Sequence, residues 1–390
     1  MSEMEDLRKQ IDEIDAEMLR LYEQRIDISR QIGRYKAQKG LSVADEKREQ
    51  ELLAAKMAML KDQSLRAGAR RLFELLMSQS RNMQYALGAE AKEPGNNSLA
   101  EYQKALASLR QPLATPRVIY QGRPGAYGEE ATELFFGKTV RKNNADSFED
   151  VFAKLAAGLE DYGVVPIENN STGAIAETYD LLAKYGCYIV GEQPVPVEHC
   201  LLAPQGATIE SITHVYSHEQ GFSQSVNFLG NYQNWHYVPF FNTAVAAKFV
   251  ADSGDITKAA IASRRAAELY GLKILAKKIN SNAHNHTRFA IVSPQMEIRQ
   301  GSDKISAVFT LAHSSGSLYR VLSIFALNGL NLLKIESRPI KEKSWEYMFF
   351  ADFSGNIEEQ GMESIIGDLI GASNSFRILG NYKANSAIEK

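Results

Sequence analysis

Arg25 stands in a stripe that is otherwise apolar. Leu7, Ile11, Ile14, Met18, Leu21, Arg25, Ile28, Ile32 and Tyr35 recur three and four residues apart, the spacing of one buried face of a helix. A guanidinium desolvated alone is costly, so it needs a partner. Lys36 follows eleven residues later, which at about 100° per residue brings it to within about 20° of Arg25 around the axis. Two cations on one helical face suit a small polyanionic ligand.

Three more runs could do chemistry. Val118 to Ala131 passes from a strand through a Gly/Pro loop, Gln-Gly-Arg-Pro-Gly-Ala, to a helix start, where backbone N–H groups can meet an anion. It lacks the G-x-G-x-x-G spacing of a dinucleotide site. Val164 to Gly173 ends a buried strand in Glu-Asn-Asn-Ser-Thr, and Asn282 to Phe289 sets a hydroxyl, Thr287, and a guanidinium, Arg288, just before another strand. His214 with His218, and His284 with His286, have no Cys or carboxylate to complete a ligand set at a recognised spacing, so no metal is expected.

The elements that must carry these residues fall into blocks. All eleven prolines lie at or beyond Pro94, leaving residues 1 to 90 free of proline and histidine and patterned as helices over about 5–38, 45–62 and 66–87. The first helix would run about 50 Å, too long to bury its stripe on its own hairpin, so a second copy of the chain is implied. Asp45, Arg48, Glu49, Leu52, Lys56 and Leu60 share a face of the second helix, and Leu72, Leu76, Ser80 and Gln84 a face of the third. Both stripes turn polar toward one end, consistent with a polar site in a bundle. Taken singly, Asp45, Arg48 and Glu49 also read as surface ion pairs.

Residues 93–115 read as a linker. From Val118, short β-rich runs (118–120, 163–167, 188–190, 214–216, 259–262, 289–292) alternate with helical patterns, which predicts an α/β domain with largely parallel sheets. From Lys304 the order is strand 305–311, helix 318–328, strand 332–337, strand 345–352, helix 362–372, strand 376–379, the βαββαβ order of a ferredoxin-like unit. The 44 Lys plus Arg against 47 Asp plus Glu offer no global positive field for nucleic acid or membrane. Two cysteines, an acidic N-terminus and the lack of a long apolar run predict a soluble cytoplasmic protein.

The helical block (1–92) resembles the all-helical class of chorismate mutase. Arg8, Arg25, Lys36, Asp45, Arg48, Glu49, Ser80 and Gln84 fall where that family's active-site pattern expects those residue types. The resemblance implies carboxylate binding by Arg8, Arg25 and Arg48, the ether oxygen held by Lys36 and Gln84, and the substrate hydroxyl by Asp45 and Glu49. The chemistry agrees: the rearrangement of chorismate to prephenate moves no proton and needs positioned cations and donors. Arg8 lies about 26 Å along the helix from Arg25, so one helix cannot present both to one substrate. In the family the arginine at this position comes from the other subunit of an intertwined dimer.

Residues 116–294 resemble prephenate dehydratase through Val164 to Gly173, Ser217-His-Glu-Gln220 and Thr287-Arg-Phe289. The family likeness implies Thr287 as proton donor to the leaving hydroxyl, Asn169, Ser217 and Gln224 as polar groups of a cleft between two lobes, and Arg288 as carboxylate anchor. Loss of water and carbon dioxide is driven by aromatisation, so modest acid assistance suffices. Arg123-Pro124 reverses the family's commoner Gly-Pro order and Gly128 replaces a usual hydroxyl residue, which leaves prephenate or arogenate open as substrate.

Residues 302–383 resemble the phenylalanine-pathway ACT domain through Gly316-Ser-Leu318 and Glu336-Ser-Arg338-Pro339, implying L-phenylalanine as a feedback effector. The order mutase, dehydratase, ACT resembles the bifunctional family that takes chorismate through prephenate to phenylpyruvate without a cofactor, as a homodimer or higher assembly. A rival reading is a solute-binding protein with an attached amino-acid sensor and a coiled-coil dimeriser. It leaves Arg25, Lys36 and Arg48 on core-facing stripes unexplained.

Overall fold

The computed structural model describes residues 3–41, 46–87, 102–103, 106–107, 109, 111–314, 316–340 and 346–385. Helices α1 (Glu3–Lys39), α2 (Glu46–Ala58) and α3 (Arg66–Leu87) form the N-terminal part. Acidic residues open α1 and lysines close it, matching its dipole. The expected apolar stripe does not face the protomer's own helices: Leu7, Ile11, Ile14, Met18, Leu21, Ile28, Ile32 and Tyr35 are all exposed. A second line, Tyr22, Ile26, Ser29 and Gly33, meets α3 instead, because small residues there admit the neighbouring helix. Arg25 lies at the border of the two lines.

The central part has two lobes. In the first, a six-stranded sheet runs in the order β2 (Arg141–Ala145), β1 (Arg117–Gln121), β3 (Tyr162–Asn169), β11 (His286–Ser293), β5 (Tyr188–Pro196), with β4 (Gly173–Ala174) paired to β3. Helices α4 (Tyr127–Phe136), α5 (Phe148–Ala156) and α6 (Ala176–Tyr185) cover it. The second lobe has five strands in the order β10 (Lys273–Ala276), β6 (His199–Ala203), β9 (Lys258–Ser263), β7 (His214–Ser217), β8 (His236–Pro239). Its helices are α7 (Glu219–Ser223), α8 (Val226–Leu229), α9 (Thr243–Ser253) and α10 (Arg264–Tyr270).

The expectation of largely parallel sheets is corrected. β1 is parallel to β2 and β3, and β7 to β8 and β9, but β11 is antiparallel to β3 and β5, and β6 to β9 and β10. The chain crosses between lobes twice, from β5 to β6 and from β10 to β11, and each returning strand enters its sheet from the far side.

The C-terminal part is β12 (Lys304–Thr310), α11 (Ser317–Leu327), β13 (Leu332–Pro339), β14 (Tyr347–Ser354), α12 (Met362–Ala372) and β15 (Ser375–Tyr382), an antiparallel sheet in the order β13-β14-β12-β15. Strand alternation splits its side chains between two cores. Ile305, Ala307 and Phe309 join Val321, Phe325, Ile366 and Leu369 under the helices. Val308, Phe350, Leu379 and Tyr382 pack instead with Ile167, Tyr179, Ile189, Ala290 and Val292 of the first lobe. β15 approaches β5 so closely that a Cβ on Gly380 would collide with the Ile189 carbonyl.

Part of the expected linker is docked: Tyr102, Leu106 and Leu109 pack against the C-terminal core, and the Tyr102 hydroxyl donates to the Ile357 carbonyl at 3.3 Å. Their i, i+4, i+7 spacing makes one apolar face. No helix among the described residues is long and apolar enough to cross a membrane.

Candidate active sites

In the helical part, Arg25 reaches from α1 to α3. Its Nη1 donates to the Leu76 carbonyl at 2.7 Å and to Ser80 Oγ at 2.6 Å. Ser29 Oγ, which also bonds the Arg25 carbonyl, lies 3.0 Å from Ser80 Oγ. Burial lowers the Arg25 pKa from its ordinary value, with Tyr22 opposing; the guanidinium stays charged all the same. Among the described residues no carboxylate pairs with it, so a half-buried cation is held by neutral oxygens alone. Gln84, one turn beyond Ser80, is buried, and its Oε1 has no hydrogen-bond partner among the described residues.

Glu49 is engaged by Arg81, 2.5 Å away. Lys36 is half-buried; Arg48 and Arg8 are exposed. Asp45 lies outside the described residues. Sequence reasoning thus missed Arg81 and Ser29. Ser29 could have been found, since a serine four residues after Arg25 sits on the same helical face.

In the central part, Asn169 ends β3 and Thr287 is the second residue of β11, and the two are cross-strand partners. Asn169 is buried. Its Nδ2 donates to Thr287 Oγ1 at 2.9 Å, Asn285 Oδ1 at 2.8 Å and the His286 carbonyl at 3.1 Å. Its Oδ1 accepts from the backbone N–H groups of Ser171 and Thr172 at 2.9 and 3.1 Å, an Asx turn. Thr287 Oγ1 therefore accepts from the amide, and its own proton is not spent on that bond. From the second lobe, Gln224 Oε1 lies 2.8 Å from Nε2 of the buried His199, whose Nδ1 is 3.4 Å from the Tyr127 hydroxyl. Burial lowers the His199 pKa, against a smaller upward pull from Gln224. The ring is neutral, donates through Nε2 and fixes the Gln224 amide. Asn285 and His199 were missed as site residues, although Asn285 lies within the run that drew attention to Thr287.

Two expected site residues, Ser217 and Arg288, have partners within the protein. Ser217 is fully buried and its Oγ donates to the Ile261 carbonyl at 2.9 Å; a Cβ on Gly221 would strike that hydroxyl. That bond ties the end of β7 to β9. Arg288 is not an open carboxylate anchor. It follows Thr287 on β11, so alternation turns it to the other face of the sheet. There its guanidinium meets Glu168 at 2.7 Å and Glu192 and Asp352 at 2.9 Å each.

In the C-terminal part, Gly316 precedes α11 with φ of +81°, a left-handed conformation that suits glycine. Leu318 is 36% exposed. On the edge strand β13, Glu336 and Arg338 are half-buried and Ser337 exposed. Arg338 Nη2 is 3.5 Å from Asp180 of the first lobe.

Residues 7–85 match the family described as Chorismate mutase type II, and residues 118–297 the family described as Prephenate dehydratase. A bifunctional chorismate mutase/prephenate dehydratase of Aquifex aeolicus (strain VF5) is 31% identical over 383 residues, 98% of each chain. Among solved structures, the prephenate dehydratase of Arthrobacter aurescens in complex with L-Phe is 28% identical with a TM-score of 0.63, covering 69% of this chain and 90% of its own. GqqA, a quorum quenching acylase, is also 28% identical with a TM-score of 0.63, covering 69% of this chain and 98% of its own. A relative matched along almost the whole of both chains carries the two parts in the same order, and the chain accordingly belongs to the bifunctional chorismate mutase/prephenate dehydratase family, with both activities on one polypeptide.

Proposed function

We propose that the mutase site forms around Arg25 and the dehydratase site around Thr287, and that L-phenylalanine acts through the C-terminal part. The observation that carries the first assignment is the Arg25 guanidinium bound, among the described residues, to the Leu76 carbonyl and Ser80 Oγ with no carboxylate. A half-buried cation without a counterion gains from a substrate carboxylate. Gln84, with an unused buried acceptor and an N–H donor, suits the ether oxygen, together with Lys36. Arg48 and Glu49 on the second helix, with Asp45, which precedes it in the sequence, complete the substrate contacts. Arg8 serves the site of a second copy, since the exposed stripe from Leu7 to Tyr35 asks for a partner helix. A homodimer is the minimal assembly.

In the dehydratase, Thr287 gives its proton to the departing hydroxyl while Asn169 holds its oxygen, and Gln224 contributes from the opposite lobe. The C-terminal part is an ACT domain, a reading supported by its βαββαβ order and by Gly316 and Glu336 to Arg338. The Arthrobacter relative solved with L-Phe supports phenylalanine as the effector. A cytoplasmic setting accords with two free, buried thiols, Cys187 and Cys200. The deciding experiment assays chorismate, prephenate and arogenate separately with the full chain, with and without phenylalanine. Turnover of arogenate in preference to prephenate would replace the substrate assignment, and unaltered rates with phenylalanine would remove the effector.

A further inference from the structure

The face of β11 opposite Thr287 carries a closed charge network shared equally by two domains. Glu168, Glu192 and Arg288 come from the first lobe, Lys304, Lys334 and Asp352 from the C-terminal part. Lys304 Nζ is 2.8 Å from Glu192 and 3.6 Å from Asp352, and Lys334 Nζ is 3.0 Å from Glu168. Asp352 Oδ1 also accepts from Ser306 Oγ at 2.6 Å. Glu192, Lys304 and Asp352 are all buried. Burial alone would raise the Asp352 carboxyl, yet Arg288 and Lys304 hold it below the ordinary range.

Such a network is an odd choice for adhesion. Buried ion pairs seldom stabilise more than well-packed apolar side chains would, and the same interface is apolar elsewhere, as at Tyr179 and Phe350, whose rings lie 4.5 Å apart. What distinguishes the charged patch is its address. Glu168 and Arg288 are cross-strand partners, and the next pair along the same two strands is Asn169 and Thr287. The ladder is irregular just beyond, between Arg288 and Phe289, and such a bulge disrupts the ladder locally and re-aims side chains.

We propose that Asp352 is a positioning residue of the dehydratase, acting through Arg288 to hold Thr287 in register with Asn169. The C-terminal part thereby supports the chemistry in the neighbouring domain. A polar network of this kind loses far more when one member is removed than a pairwise count implies, so its effect reaches Thr287 as a shift of strand register. The inference rests on the reading of Thr287 as the proton donor.

The test uses the full chain with prephenate as substrate and compares Asp352→Asn, Thr287→Ala and the double variant. Asp352→Asn should lower kcat by about tenfold, the scale of a small misplacement, with KM within about twofold and mutase turnover of chorismate unchanged. Should Asp352→Asn fail to fold, Glu168→Gln, at the partly exposed end of the network, should give the same split. In the double variant the loss should equal that of Thr287→Ala alone. Wild-type kcat in the folded single variants, a rise confined to KM, or losses that multiply in the double variant would overturn the positioning role. Wild-type turnover by Thr287→Ala would instead overturn the donor assignment beneath it.

Discussion

Asn169 Nδ2 donates to Thr287 Oγ1 at 2.9 Å, across the first rung of the β3–β11 ladder. An amide N–H can only donate, so the threonine oxygen is the acceptor and its O–H is not used in that bond. Thr287→Ala should therefore cut prephenate turnover by about 100-fold or more, the range of general acid assistance. Thr287→Ser, which keeps the hydroxyl, should recover a large part of it. Prephenate formed from chorismate should accumulate in the alanine variant. Equal rates for Thr287→Ala and wild type in a steady-state assay would rule out the hydroxyl as the acid.

Arg25 offers the complementary separation. Removing its guanidinium takes one donor from the Leu76 carbonyl and from Ser80 Oγ, which keep Ser80 Oγ and Ser29 Oγ as partners, and removes the cation for a carboxylate. Arg25→Ala should lower mutase kcat/KM by at least about 100-fold, two steps of about 1.4 kcal/mol each, while the dehydratase converts added prephenate at its normal rate. Loss of both activities together in a folded variant would mean that the two sites are not independent.

The sequence reveals the side chains proposed for the mutase better than the sheet around the proposed dehydratase site. Arg25, Ser80 and Gln84 lie on helices, where a period of 3.6 tells which residues share a face. Even so, the apolar stripe carrying Arg25 is exposed in the protomer, because the same helix has a second, less hydrophobic face built from Tyr22, Ile26, Ser29 and Gly33. β2, with the sequence Arg-Lys-Asn-Asn-Ala, and β8, with His-Tyr-Val-Pro, are sheet-edge strands and carry too little apolar alternation to read as strands. Arg288 was misjudged for a different reason. Its position beside Thr287 is visible in the sequence, but the opposite face of β11 is occupied by a domain that starts at Lys304, and that contact is long-range.

Gln84 is buried, and its Oε1 has no hydrogen-bond partner among the described residues. An amide at that place donates to the ether oxygen at any pH, whereas a carboxyl donates only while it keeps its proton. Gln84→Glu should shift the mutase optimum to lower pH, and burial would raise the new carboxyl above the ordinary glutamate value. The pH profile of mutase kcat/KM in the two proteins is the measurement. Superimposable profiles would exclude Gln84 from the ether-oxygen role.

His199 makes stability depend on pH. Its folded pKa is lowered from 6.5, chiefly by burial, so the folded chain takes up a proton less readily than the unfolded one. Its contribution is fully present above a pH of about 6.5 and is lost as pH falls from there through the folded value. His199→Gln keeps a hydrogen-bonding group beside Gln224 and does not titrate. Between about pH 7.5 and 5.5 the Tm of the wild type should fall more than that of His199→Gln. Parallel Tm curves would show that His199 is not the titrating group.

Phenylalanine inhibition needs a ligand that binds the less active state more tightly, since equal affinity for both states shifts nothing. Two features of the C-terminal part fit an amino acid. Gly316 brings the start of α11 into a left-handed turn with no atom within 4 Å of the place a Cβ would occupy. Ser337 shares the outward face of edge strand β13 with the exposed Leu333 and Ile335, a face that a second copy could cover. Gly316→Val has room for its Cβ but strains the backbone at φ of +81°. Point variants are better probes than truncation near Gly301, which would leave Arg288, Glu168 and Glu192 without Lys304, Lys334 and Asp352. Calorimetric affinity for phenylalanine should fall by about tenfold or more in Gly316→Val and less in Ser337→Ala, a difference of about 1.4 kcal/mol per decade. The inhibition curve of the dehydratase should move by the same factor, because binding and inhibition are linked. Phenylalanine binding untouched by either substitution would exclude this end of the fold as the effector site.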